Sequence, residues 1–211
     1  MRRVFGFVFT LAAILGFSAP AFAGPVLDFN KGLSAKGGAV TWYGDGNLGG
    51  AGIPIGALEV SGAGASDGVY LVDAVLSFST GGQAGTNHIT ISGCVAIGAQ
   101  NICGTLLSGT ISSFDDSQAS EGLVSAEGLD VKDPALLIAL GIDPNTPFSF
   151  FGFSLVTDPL TQGGGASTAI STDIVNRAVP EPTSLVLLGT GLFGLGAAAR
   201  RRMRQQKAKR T

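Results

Sequence analysis

The chain has 211 residues, two cysteines and a formal net charge of -2, a length that leaves one domain once both ends are set aside. The small net charge hides a partition. Nine of the 13 basic residues lie in residues 1–23 and 200–211, so residues 24–182 carry only Lys31, Lys36, Lys132 and Arg177 against all 15 carboxylates, a net of about -11. Such a field excludes nucleic acid and anionic lipid as partners of the domain, and it favours solubility, cations and neutral glycans.

Residues 1–23 open with Arg2 and Arg3, continue through an apolar run from position 4 to 17, and close on Ala21-Phe22-Ala23. A positive start, a short apolar core and small residues flanking a cleavage point read as a signal peptide, with Gly24 as the mature N-terminus. A retained N-terminal anchor is the alternative.

Residues 24–178 hold 27 of the 33 glycines, spread between short apolar or alternating runs. Strands are expected at 26–30, 39–43, 55–61, 69–79, 89–97, 101–112, 122–131, 148–157 and 169–178. Short strands at this spacing, separated by Gly, Asn and Asp clusters, point to an antiparallel sandwich or barrel. The expectation taken is an all-β, jelly-roll-like β-sandwich. One helix interrupts it: Asp133 supplies a cap, Pro134 the first position, residues 135–140 the body and Gly141 the stop. At two turns it is long enough to plug one end.

The best-defined local geometry surrounds Cys94 and Cys103. A two-residue turn at Gly98-Ala99, with Gly at the first central position as type II′ requires, pairs Ile97 with Gln100 and Cys94 with Cys103. That pair falls on a non-hydrogen-bonded rung, where α-carbons lie about 4.5 Å apart and a disulfide fits. Ile89, Ile91, Val95 and Ile97 then share a packed face with Ile102 and Leu106, opposite His88, Thr90, Ser92 and Cys94. Two separate thiols or a redox pair are the alternative, although the spacing is not C-x-x-C.

Candidate chemistry is sparse, and no catalytic residue, cofactor or metal ligand is assigned. His88 is the single histidine, so a hydrolase triad would have to be built on it. Asp45-Gly46-Asn47-Leu48-Gly49-Gly50 and Asp115-Asp116-Ser117 with Glu121 offer oxygens of the kind calcium takes. The same residues serve equally as Asx turns. Trp42-Tyr43, beside the first loop, is either a sugar-stacking platform or core. A calcium-dependent carbohydrate-binding module and a secreted hydrolase are therefore alternatives to a non-enzymatic structural or adhesive domain.

Residues 179–211 read Val179-Pro180-Glu181-Pro182, an apolar run to Ala199, then Arg200-Arg201-Arg202-Met203-Arg204. As a helix, residues 182–199 reach roughly 27 Å at about 1.5 Å each, close to the hydrocarbon thickness of a bilayer. The arginines would hold the cytoplasmic end, and the prolines would keep the entry extended and accessible. This order of parts (sorting triplet Pro180, Glu181, Pro182; transmembrane helix 183–199; membrane stop Arg200, Arg201, Arg202, Arg204; basic tail 200–211) resembles the PEP-CTERM sorting signal of Gram-negative bacteria. The resemblance implies a partner, the membrane transpeptidase exosortase. It also implies a route: export, a transient single pass through the inner membrane with the C-terminus inside, then release to the cell surface or an exopolysaccharide matrix. A permanent anchor shares this topology. The same tail also carries the label of an ice-binding protein C-terminal domain, yet the Thr-x-Thr ladders of an ice-facing sheet are absent.

Overall fold

The computed structural model describes residues 24–178 apart from 33 and 35. The leader at 1–23 and the triplet, membrane helix and basic tail at 179–211 lie outside these residues. No helix among the described residues is long and apolar enough to cross a membrane.

Nine strands form: β1 (Val26–Asn30), β2 (Gly37–Trp42), β3 (Leu48–Ser61), β4 (Gly68–Ser79), β5 (His88–Ile97), β6 (Gln100–Asp115), β7 (Leu123–Lys132), β8 (Phe148–Thr157) and β9 (Ser167–Ala178). A short helix, α1 (Pro134–Ala139), separates β7 from β8. From β3 to β9 each strand is antiparallel to the next. β1 and β2 both lie between β3 and β9. β1 pairs with residues 57–61 of β3 and 173–177 of β9, and β2 pairs with 48–51 and 167–169. They are two halves of one interrupted stave. Pro54, which has no N–H to give a neighbour, falls in the part of β3 opposite the break.

The sheet therefore closes on itself as an antiparallel barrel of eight positions. This corrects the expected jelly-roll-like sandwich. From β2 to β9 every consecutive pair of strands is hydrogen-bonded, and the first stave bonds to the last, so among the described residues no second sheet exists to pack against. The all-β class and the lone helix stand as expected.

The interior of a barrel of this size is narrow enough for side chains to fill. Phe78 on β4 and Phe153 on β8 come from opposite walls, and their ring centroids lie 5.1 Å apart. They are joined by fully buried Leu27, Phe29, Ile55, Leu76, Ile91 and Phe151 among others. Bulges let the walls curve. At the shift between Ile91 and Ser92, Leu106 slips out of register, and Leu106 and Leu107 are both buried in succession. Gly128 on β7 meets β6 so closely that a methyl group there would collide with the Thr110 carbonyl.

The helix follows its sequence signals. Asp133 Oδ1 accepts the Ala135 N–H at 2.7 Å, Pro134 stands in the first turn, and Gly141 ends the segment at φ +69. Leu136, Leu137 and Leu140 join the barrel core. The hairpin also forms as read: Gly98 has φ +60, Ile97 pairs with Gln100, and Cys94 pairs with Cys103. Ile89, Ile91, Val95 and Leu106 are buried, whereas Ile97 and Ile102 are only half-buried at the hairpin's tip.

Candidate functional site

Cys94 and Cys103 form a disulfide with α-carbons 4.1 Å apart. His88 begins β5 half-buried, with Nδ1 2.8 Å from the Thr86 carbonyl oxygen. Its described contacts do not include the carboxylate and hydroxyl that a triad would need.

In each calcium candidate one aspartate is bonded to main chain. Asp45 accepts the N–H of Asn47 through one oxygen and that of Gln83, at 2.7 Å, through the other. These bonds hold its carboxyl below the usual range. Asp115 accepts the Ser117 N–H at 2.9 Å with the same effect. Both are Asx turns, which relieve backbone donors that the loops would otherwise leave bare. Among the described residues no three His, Cys, Asp or Glu side chains converge on a cation site. Trp42 packs against the core and donates its indole N–H to the Gly46 carbonyl at 3.3 Å, so much of its ring is structural.

The polar site that the fold does build was not among these candidates. Along β7 the residues that point inward are Val124, Ala126, Gly128, Asp130 and Lys132. Asp130 and Lys132 are therefore buried inside the barrel, while Leu129 and Val131 face out, 63% and 69% exposed. Lys132 Nζ lies 2.6 Å from Asp130 Oδ1 and 2.8 Å from Asn176 Oδ1. Asn176, fully buried on β9, donates its Nδ2 hydrogen to the Ile174 carbonyl at 3.3 Å. The Phe148 ring covers the amine, 4.4 Å from centroid to Nζ.

Asp130 Oδ2 is buried with no partner. Charges taken out of water cost more than one contact returns, so burial favours the neutral form of each group. Burial raises the Asp130 carboxyl above its ordinary range, against the opposing pull of Lys132. Burial likewise pushes the Lys132 amine down to about 8. The cluster is an amine in contact with both a carboxyl and a carboxamide in a dry setting. It sits at the end of the barrel where β7 and β9 finish and β8 begins.

A second polar cluster lies on the outer wall. Asp28 on β1 stands beside Glu59 on β3 and near Asp173 on β9. Asp28 Oδ1 and Asp173 Oδ1 are buried without a donor. Burial first, and then Asp173, push Asp28 up to about 7.

Sequence reasoning missed the inner cluster because Leu129-Asp130-Val131-Lys132 alternates equally well in either phase. The one available signal was Lys132 itself, a rare cation in an acidic domain.

No curated protein and no solved structure matches the chain. One family does match, over residues 178–202, and it starts at the last residue of β9. Its presence implies an exported protein addressed to an exosortase, as the Pro-Glu-Pro triplet and arginine-ended apolar run suggested. The chain therefore carries, at residues 178–202, the PEP-CTERM protein-sorting motif.

Proposed function

We propose that this chain is an exosortase substrate whose barrel is displayed at the cell surface or in an extracellular polysaccharide matrix as a non-enzymatic structural or adhesive component. The observation that carries this reading is continuity. β9 ends at Ala178, where the sorting motif begins, so the last strand of the barrel runs in sequence directly into the delivery signal. A filled interior and loop carboxylates already bonded to backbone favour a structural role over calcium-dependent sugar binding or hydrolysis.

The test is expression of the full chain in a Gram-negative host with and without its exosortase, followed by fractionation and mass spectrometry. With the enzyme, the expected product is a leaderless chain cut near Pro180–Pro182 and recovered outside the inner membrane. Replacing Pro180 and Pro182 by Ala should hold it in the membrane. An unprocessed, cytosolic chain with free thiols would overturn the reading.

A further inference from the structure

The inner cluster is not explained by display alone. It sets a nucleophile, the Lys132 amine, in direct contact with both a proton carrier, Asp130, and an acyl group with a leaving group, Asn176. We infer that the Lys132 amine and the Asn176 carboxamide condense into an intramolecular isopeptide bond, with Asp130 as the proton carrier, joining β7 to β9 across the intervening β8.

Geometry comes first. Lys132 Nζ is already 2.8 Å from the carboxamide oxygen, and since Cγ lies one carbonyl bond length, about 1.2 Å, from that oxygen, the amine is no more than about 4 Å from the carbon it would attack. Reacting atoms held this close, in fixed orientation, gain the large rate advantage of an intramolecular reaction. The Asn176 amide cannot turn freely, because its Nδ2 hydrogen is donated to the Ile174 carbonyl.

Protonation follows from burial. An ammonium cannot attack, and a carboxylate cannot donate. Transfer of one proton from Nζ to the carboxylate of Asp130, 2.6 Å away, yields the neutral amine and neutral acid that a dry interior prefers. Nζ then forms a bond to Cγ of Asn176. The Asp130 acid protonates the carboxamide as its Cγ–Nδ2 bond breaks, and its carboxylate recovers a proton from Nζ. One ammonia leaves. The charged pair and carboxamide become one amide, one ammonia and one neutral Asp130, with no oxidant, reductant or cofactor. The neutral product suits Asp130, whose Oδ2 has no partner. Phe148 over the amine and the burial of all three side chains keep out the water that would compete for the acyl carbon.

The position has a mechanical sense. Asn176 lies near the end of the strand that continues into the sorting motif. A pull on residues 179 onward would peel β9 from its neighbours one rung at a time, and a covalent tie to β7 near its origin stops the peeling. The bond is independent of the sorting reading, because its readout is a peptide mass and not a location.

The experiment is a chymotryptic peptide map of the full chain, purified in detergent. The expected result is a branched peptide uniting the Lys132 and Asn176 segments, lighter than their sum by one ammonia, in nearly every molecule. Recovery of both segments only as linear, unmodified peptides would overturn the proposal. So would loss of one water within the segment holding Asp130 and Lys132, which would mean condensation between those two instead. Asp130→Asn, checked for a native circular dichroism spectrum, should lose the branched peptide at least tenfold, and an undiminished yield would remove Asp130 from the reaction. Should that variant not fold, the wild-type map alone still decides the bond.

Discussion

Asp28 on β1 and Asp173 on β9 stand side by side on the wall that closes the barrel, and each keeps a buried carboxyl oxygen with no hydrogen-bond partner among the described residues. A proton on Asp28 supplies the donor that this pair of carboxyls lacks. Asp28 is held up to about 7 by burial, by Asp173 and by Glu59, whereas the unfolded group titrates near 3.8. The folded state thus binds more protons in that interval, and stability falls as pH rises through it. The contribution is fully present below about pH 4 and lost above about pH 7. For a half-exposed group screened by solvent, the loss should be about 1 kcal/mol. Urea titrations across this range should show the decline in wild type and its absence in Asp28→Asn, whose amide donates at any pH. Parallel curves for the two proteins would sink this account.

The disulfide closes a short hairpin loop, Cys94 and Cys103 being nine residues apart. Its contribution through the unfolded chain should be about 2 kcal/mol. Cys94→Ala with Cys103→Ala should lower stability by that amount without changing the circular dichroism spectrum, because Gly98 and the inward isoleucines set the register independently. Reductant should reproduce the loss in wild type and do nothing further to the variant.

Gly128 and Gly152 offer a matched pair of substitutions. A Cβ at Gly128 would meet the Thr110 carbonyl and the Phe151 ring, whereas one at Gly152 would meet nothing within 4 Å. Gly128→Ala should cost about 2 to 3 kcal/mol by forcing β6 and β7 apart. Gly152→Ala should lie within about 0.5 kcal/mol of wild type. Thermal denaturation of both variants decides the point, and equal effects would contradict the packing described.

Asp133 caps the helix that buries three leucines in the barrel core. Asp133→Ala should cost about 1 kcal/mol. The loss should localise to one barrel end, with faster amide exchange at Ala135 and through α1 while β3 and β4 stay protected. Uniform deprotection would show that the helix and barrel open together.

Much of this protein was decided locally, and so by sequence alone. Asp133, Pro134 and Gly141 bound the helix because capping, a fixed φ and a left-handed stop act within a few residues. Gly98 fixed the hairpin register, and with it the Cys94–Cys103 pair. The triplet and its arginines carry the sorting motif, a linear signal that needs no fold. Closure was another matter: whether β1 meets β9 depends on a contact between the two ends of the domain, and no local pattern encodes it. The inner polar cluster depended on the same kind of long-range choice. Alternation along β7 has two phases that exchange inside for outside. Only Asn176, 44 residues from Lys132 in sequence, and the Phe148 ring give the Lys132 amine partners inside the barrel beyond its own strand.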